Sequence, residues 1–313
     1  FWLAGSALLL TGVLALGAGA HTFSFAALTG YRLAETSQVL LALLFLAAFA
    51  MRLPLFPFHA WLARTYITAP VPVAIVLAGV ISKTAVYAIA RVCVLIFPLG
   101  MADLAPYLLA LATVGGLYGA ILATRQRDTR AVIAYASLAQ LDLIAVGVFL
   151  ATPDGLEGAL IASVSHGLVV AVLLLLAASL ARRVGSFGFG MGGLGARAPV
   201  LEAFFVVAIL ALVGLPGTSG APGELLIVAA AFVSSPGIGL LAVLVPVVCA
   251  VCGAGVLRAV FFGRPAVRGS ELGWRERGPL IALLVLVIAV GLVPRSVGDL
   301  ADRTAAALTE LRR

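Results

Sequence analysis

Residues 214–224 read Gly-Leu-Pro-Gly-Thr-Ser-Gly-Ala-Pro-Gly-Glu and interrupt an apolar stretch that extends from residue 199 to residue 233. Proline removes a backbone hydrogen-bond donor and clashes with the preceding helical turn, so a helix is expected to break here. In a lipid bilayer, such a break is tolerated only where it is buried in protein or lines a water-filled cavity. A second interruption, Arg-Leu-Pro-Leu-Phe-Pro-Phe-His, occupies residues 52–59. Two broken helices in corresponding positions are typical of a membrane core built from inverted repeats.

The composition around these interruptions is that of a membrane protein. Of the 313 residues, 63% are hydrophobic and 11% are charged, and the mean hydropathy is +1.19. Soluble domains carry about 25% charged residues, so a soluble enzyme and a disordered chain are both excluded. The net charge of +7 does not indicate nucleic-acid binding, because the arginines are scattered between apolar runs.

A membrane-spanning helix needs roughly 20 apolar residues. That rule predicts an all-α, polytopic transmembrane bundle over residues 1–296, with two discontinuous helices around Pro54–Pro57 and Pro216–Pro222. We expect the chain to be a piece of a longer protein, without its N-terminal helices, because Phe1 lies inside an apolar run. Residues 297–313 are predicted to form an amphipathic tail on the membrane surface. The nine predicted spans are 2–20, 38–62, 71–97, 104–124, 130–152, 157–181, 199–233, 237–262 and 278–296.

The distribution of charge between the spans predicts their orientation. Every second loop is rich in arginine, and the loops between them carry acidic residues or no charge. Because basic loops stay on the cytoplasmic side, this pattern predicts an integral protein of a bacterial-type inner membrane with the arginine-rich loops in the cytoplasm. The basic residues of these loops are Arg64, Arg125, Arg127, Arg130, Arg182, Arg183, Arg197, Arg264, Arg268, Arg275 and Arg277.

Lys83 is the only lysine among 20 basic residues. It lies about 12 residues from one end of its span, which is roughly 18 Å into the bilayer. A charge at that depth costs about 2.5–3.5 kcal/mol on insertion scales. Lysine can lose its proton when it is buried, whereas arginine cannot. Lys83 is therefore predicted to carry protons, and a purely structural ion pair is the alternative.

Five other ionisable residues are predicted within the membrane. Arg52 and His59 flank the first break, Asp142 and His166 lie in the fifth and sixth spans, and Glu224 follows the second break, where a helix N-terminus would favour its anion. Buried groups that exchange protons near neutral pH are what proton transfer through lipid requires. Each also has a simpler interpretation. His166 could only pack between helices, His59 could cap a helix end, and Asp142 could pair with an arginine.

No cofactor or metal is expected on this chain. Cys249 and Cys252 have the CxxC spacing, but no further cysteine or histidine completes a ligand set, and Cys93 is isolated. These three are predicted to be buried thiols. The glycine-rich residues 185–195 lack the preceding strand and the following Gly-Lys-Ser/Thr of a phosphate loop, so a plain loop is predicted there.

Five stretches of the chain resemble one family of membrane proteins. In this order they are similar to the antiporter-like subunits of respiratory complex I, the NADH–quinone oxidoreductase, and to relatives in multi-subunit sodium/proton antiporters. The resemblance covers almost the whole chain, and the glutamate that ends the second break most resembles the subunit M branch. The five stretches are Pro54-Leu-Phe-Pro-Phe-His-Ala-Trp-Leu62, residues 77–87 with Arg91, Ile133-Ala-Tyr-Ala-Ser137, Ser165-His-Gly-Leu168 and residues 214–225.

The resemblance implies roles for individual residues. Lys83 matches the central lysine of a proton channel, His166 a histidine of its polar axis, and Glu224 the glutamate of the second broken helix. His59 matches the first histidine after the first break. Arg52 departs from the pattern, because it stands where the family has a lysine. Asp142 also departs, because it replaces a common glycine.

Three functional hypotheses follow from the resemblance. The leading one is proton translocation as a membrane subunit of a redox-driven complex, with the redox cofactors held by partner subunits. The second is a subunit of a sodium/proton antiporter, which could move sodium as well as protons. The third is a structural subunit whose pumping is impaired by Arg52. All three require other membrane subunits as partners and a lipid bilayer, and none involves nucleic acid.

Overall fold

The computed structural model describes residues 2–189, 192–263 and 270–293, and helices dominate all three ranges. Two short pieces, Phe25–Thr29 and the 3₁₀ turn Leu194–Ala196, accompany the main helices. The main helices are α1 (Trp2–Ala20), α2 (Glu35–Ala50), α3 (Ala60–Thr68), α4 (Val71–Ile96), α5 (Pro98–Arg125), α6 (Thr129–Leu150), α7 (Pro153–Val184), α8 (Pro199–Leu212), α9 (Gly220–Ser234), α10 (Pro236–Phe261) and α11 (Trp274–Leu292).

The predicted all-helical membrane bundle is confirmed. Within the described ranges, six helices are long and apolar enough to cross a membrane: α1, α4, α5, α6, α7 and α10. The helices α2, α8 and α9 are apolar but shorter, because the two breaks divide their spans. The helix α11, Trp274–Leu292, overlaps the ninth predicted span, 278–296, but is not among the six. Residues 294–296, the predicted tail, Arg264 and Arg268 lie outside the described residues.

Both predicted breaks occur, but the second is shifted, because Pro222 lies in the first turn of α9. Residues 51–59 separate α2 from α3, and residues 213–219 separate α8 from α9. Each break frees carbonyl groups that a side chain from elsewhere satisfies. The indole N–H of Trp61 donates to the Met51 carbonyl at 2.8 Å, and the Gln140 amide donates to the Leu212 carbonyl at 2.7 Å. The breaks are therefore stabilised within the protein, as the absence of water in lipid requires.

The helix α6 lies at the centre of the bundle. Almost all of its residues are buried, and it packs against α3, α5, α7, α9 and α10. Its N-terminus is capped by Asp128, whose carboxylate accepts the Ala131 N–H at 2.9 Å. Because it is surrounded by protein on all sides, polar side chains on α6 can face polar groups of several other helices without meeting lipid.

The helix α4 is irregular around its lysine. Two π-helical segments, Leu77–Ile81 and Ile89–Cys93, flank the regular turn that carries Lys83. Such π segments are rare and are often found at functional sites. They rotate the side chains that follow them, so hydropathy alone does not determine which way Lys83 points.

Ion pairs join α7 to α11 at one end of the bundle. Glu276, at the start of α11, binds Arg183 at 2.5 Å and Arg182 at 2.6 Å. The hydrogen bond from Arg183 is the main reason that the pKa of the Glu276 carboxyl falls to about 2. Close by, the Glu271 carboxylate accepts the Val200 and Leu201 N–H groups at the start of α8. This network fixes the ends of three helices to one another.

Candidate functional site

The amino group of Lys83 contacts three acceptors. Its Nζ lies 2.6 Å from the Ala78 carbonyl oxygen, 3.1 Å from the Ser82 hydroxyl and 2.5 Å from Nδ1 of His166. A protonated lysine has three N–H donors and no acceptor, so these contacts match the charged form fully. The very short contact with His166 places the two groups within direct proton-transfer distance.

The ring of His166 continues this contact deeper into the protein. Its Nε2 lies 2.9 Å from the hydroxyl of Ser137 on α6, and that hydroxyl lies 3.5 Å from the hydroxyl of Tyr66 on α3. If Nδ1 accepts a hydrogen bond from Lys83, the proton of the neutral ring is on Nε2, and this N–H donates a hydrogen bond to Ser137. His166 is therefore held at both ring nitrogens, which supports a defined orientation between Lys83 and the centre of the bundle.

A close approach of α4 and α7 makes the Lys83–His166 contact possible. Gly167 follows His166, and a Cβ at that position would lie only 3.0 Å from the Gly79 carbonyl oxygen. The backbones of the two helices can come this near because neither glycine carries a side chain. On the outer side of this crossing, Lys83 forms part of the floor of an open apolar groove of about 700 Å³, which Thr84 and Ser163 also line.

Glu224 lies on the other side of His166. The two residues line one small cavity together with Gln140 and Ser165. The cavity has about 10 Å³ of space for the centre of a water molecule, close to the minimum that holds one water. The Ser165 hydroxyl also contacts the Ser219 hydroxyl of the second break at 2.7 Å. One water in this cavity would connect the imidazole to the carboxyl group.

Glu224 lies further from the N-terminus of α9 than the sequence suggested. The sequence suggested that a helix N-terminus stabilises its anion, but Glu224 is the fifth residue of α9 and lies beyond the first turn. The influence of a helix terminus falls off within that turn. Instead, its carboxylate packs against Gly214, where a Cβ would collide with Oε2. Gly214 has φ = +67°, a left-handed conformation that favours glycine.

The structure brings together three of the six predicted site residues. Lys83, His166 and Glu224 form one axis across α4, α7 and α9. The other three residues, Arg52, His59 and Asp142, lie at or beside the first break and share no hydrogen bond with that axis among the described residues. Arg52 donates to the Ser6 hydroxyl on α1 at 3.1 Å.

Two other polar residues of the site were missed by sequence reasoning. Ser137 and Tyr66 were not predicted, because only tertiary packing brings α3 and α6 to His166. The Ser163 hydroxyl, about one turn before His166, binds the Ala159 carbonyl of its own helix at 2.7 Å. No group of three or more His, Cys, Asp or Glu residues in the described ranges could hold a metal ion.

Comparison with known proteins assigns this chain to a family. Residues 1–249 match the family model for the transmembrane region of NADH:quinone oxidoreductase and Mrp antiporter subunits. The chain belongs to this family. Subunit M of the NADH-quinone oxidoreductase of Pseudomonas aeruginosa is 33% identical over 285 residues, which are 90% of this chain and 56% of that protein. The chain thus spans about half the length of that relative.

Nearly the whole chain superposes on solved structures of subunits with this fold. A chain of respiratory complex I from Thermus thermophilus is 32% identical and superposes with a TM-score of 0.94, covering 99% of this chain and 67% of that one. A chain of the Mrp complex from a Dietzia species is 24% identical, has a TM-score of 0.90 and covers 98% of this chain and 66% of that one, so it shares the fold. The family fold thus includes subunits of both kinds of complex.

Proposed function

We propose that this chain belongs to a membrane subunit that moves protons across the bilayer along the axis Lys83–His166–Glu224. The contact of 2.5 Å between Lys83 Nζ and His166 Nδ1 carries the proposal. A proton can pass from the ammonium group to the imidazole, which then releases its other ring proton towards Ser137 or the cavity that Glu224 lines. Reprotonation of Lys83 from one side and release from Glu224 to the other would complete one transfer.

The driving force that we propose is electron transfer in partner subunits. The relatives at 33% and 31% identity are named as subunit M of NADH-quinone oxidoreductases, which favours a redox-driven complex. In such an assembly the neighbouring membrane subunits, the bilayer and protons are the partners of this chain. We place it in a bacterial-type inner membrane with the arginine-rich loops in the cytoplasm, because basic loops are retained on that side.

A second candidate is exchange of sodium for protons in a multi-subunit antiporter. The shared fold with the Mrp chain favours it. The two candidates differ in what surrounds the subunit. Purification of the complete protein from its native membrane should recover flavin and iron–sulfur subunits with NADH–quinone activity under the redox hypothesis. Recovery of other hydrophobic subunits, without redox activity but with sodium-dependent proton flux, would replace it by the antiporter hypothesis.

The carrier role of Lys83 is tested by Lys83→Arg in the complete assembly, with Lys83→Ala as a second variant. Arginine keeps the charge but cannot release a proton, so proton flux into inverted vesicles should fall about tenfold or more. Thr84→Ala is the matched control, because Thr84 lines the same groove and its hydroxyl, among the described residues, binds only the Ile81 carbonyl of α4. If Lys83→Arg assembles and pumps like the wild type, Lys83 is a structural charge and the third hypothesis, a subunit without pumping, is favoured.

A further inference from the structure

An open groove of about 460 Å³ lies between the C-terminal parts of α5 and α10. The helix α5 ends at Arg125 and α10 at Phe261, and the two helices pack against each other. Because a membrane-spanning helix ends near the headgroups of the bilayer, this α5–α10 groove lies close to headgroup depth. It shares none of its lining residues with the cavity between His166 and Glu224, so it is separate from the proton axis.

The α10 side of the groove is apolar and reaches the helix backbone. Val251 and Val256 line it, and a Cβ at Gly255 would meet nothing within 4 Å, so the space over this glycine is open. Exposed apolar side chains continue from the groove towards the middle of the membrane. Val247 precedes Val251 by one turn of α10, and Ile121 lies one turn before the end of α5. A hydrocarbon chain in the groove would therefore continue onto an apolar, exposed surface.

Two arginines carry all the charge of the groove. Arg125 and Arg127 line it beside the polar side chains of Thr124 and Gln126, and no acidic residue is among its lining residues. Both arginines are exposed, and the two salt bridges of the described ranges belong to other arginines. A guanidinium group presents N–H donors in a fork that matches the oxygens of a phosphate group. The groove thus combines a site for an anion with a space for a hydrocarbon chain.

Backbone hydrogen bonds fix the segment that carries Arg127. The Phe189 N–H donates to the Arg127 carbonyl at 2.8 Å, and Phe189 itself lines the groove. The Thr129 N–H donates in return to the Phe187 carbonyl at 2.8 Å. Asp128, the acid nearest in sequence, caps the N-terminus of α6. Arg127 therefore has a defined backbone position and no ion pair among the described residues.

We propose that the α5–α10 groove binds an anionic phospholipid, with its phosphate at Arg125 and Arg127 and one acyl chain in the apolar part. Basic pockets between membrane helices are typical sites for anionic headgroups. A water-soluble anion would leave the apolar part of the groove empty, whereas a phospholipid fills both parts. The bound lipid would hold the ends of α5 and α10 to the loop that carries Phe189. The proposal goes beyond proton translocation and does not depend on it.

The test compares two photoactivatable lipids in nanodiscs that contain the complete assembly. One is a phosphatidylglycerol and the other a phosphatidylcholine with the same diazirine-bearing acyl chain, and mass spectrometry locates the labelled residues. Each basic residue at the headgroups adds to the affinity for anionic lipid. We therefore expect phosphatidylglycerol to label the groove about tenfold more than phosphatidylcholine does.

Three variants separate the anion site from the apolar space. Arg125→Gln combined with Arg127→Gln should abolish the preference for phosphatidylglycerol. Arg64→Gln is the matched control and should keep the preference, because Arg64 is an exposed arginine of α3 that does not line this groove. Gly255→Leu keeps both arginines but fills the open space, so it should lower labelling by both lipids. The thermal midpoint in detergent shows whether each variant assembles.

Four outcomes would overturn the proposal. The first is equal labelling of the wild-type groove by the two lipids, and the second is a preference that survives the loss of both arginines or disappears equally in Arg64→Gln. The third is unchanged labelling in Gly255→Leu, which would place the acyl chain outside the groove. The fourth is no labelling by either lipid, which would show that a polypeptide covers the groove in the assembly.

Discussion

Ser137 holds the imidazole of His166 in place, because its hydroxyl is the only side-chain contact described for Nε2 of that ring. Loss of this hydroxyl would leave the imidazole free to turn about the bond to its Cβ, so its Nδ1 would face Lys83 for a smaller fraction of the time. A single hydrogen bond of this kind contributes about 1 kcal/mol. The effect on proton transfer should therefore be smaller than that of replacing a carrier.

We expect Ser137→Ala to lower proton flux about fivefold, which corresponds to roughly 1 kcal/mol. The measurement is the initial rate of acidification of inverted vesicles that contain the complete assembly. Ser163→Ala is the control, because Ser163 is a buried serine whose hydroxyl, in the part of the chain that the structure describes, binds only its own helix. Equal rates in the two variants would show that Ser137 does not orient His166.

At the scale of helices, the sequence predicted positions well and orientations poorly. Spans were predicted to within about six residues because each is a run of apolar residues. Both breaks were predicted because Pro54, Pro57 and Pro216 cannot continue a helix, whereas Pro222 lies in the first turn of α9, where proline is tolerated. The π segments around Lys83 have no such marker. The segment Leu77–Ile81 lies where α4 packs on α7, and the segment Ile89–Cys93 lies where α4 packs on α2. The direction of Lys83 could therefore not be derived from spacing.

Gly214 tests whether the shape of the second break controls Glu224. A side chain at φ = +67° costs roughly 1–2 kcal/mol, and its Cβ would also collide with the Glu224 carboxylate. We expect Gly214→Ala to lower the thermal midpoint of the purified assembly and to reduce proton flux. Gly255→Ala in α10 is the control, since a Cβ there meets nothing within 4 Å. Unchanged flux in a stable Gly214→Ala variant would show that the break does not set the position of Glu224.

At the scale of the whole molecule, the least predictable contacts are those between distant parts of the chain. Among the described residues, the Asp142 carboxylate has no hydrogen-bond partner. This could not be derived from sequence, because whether an arginine reaches Asp142 depends on all the helices around α6. The same holds for Arg182 and Arg183. They were predicted as loop charges that set orientation, yet Arg183 is only 7% exposed and connects α7 to the start of α11.

The connection between Arg183 and Glu276 gives stability a defined dependence on pH. The pKa of Glu276 is about 2, below its ordinary value of 4.5, so the ionised carboxylate stabilises the folded protein. That contribution is complete above pH 4.5 and is lost as the pH falls towards 2. We therefore expect Glu276→Gln to lower the thermal midpoint at neutral pH, and the difference from wild type to shrink only below pH 4.5.

Variants of Arg182 and Arg183 distinguish a specific ion pair with Glu276 from a general effect of surface charge. Arg183 also donates to the carbonyls of Ser179, Ser270 and Glu271, whereas Arg182 is 60% exposed. Exposed pairs contribute about 0–1 kcal/mol. Arg183→Gln should therefore lower the thermal midpoint markedly, and Arg182→Gln only slightly, in parallel measurements at neutral pH. Equal shifts of the thermal midpoint in the two variants would mean that Glu276 stabilises the protein through the net positive charge near it and not through the hydrogen bonds of Arg183. A larger shift for Arg183 would show that its buried hydrogen bonds hold α11 against α7, the helix that carries His166.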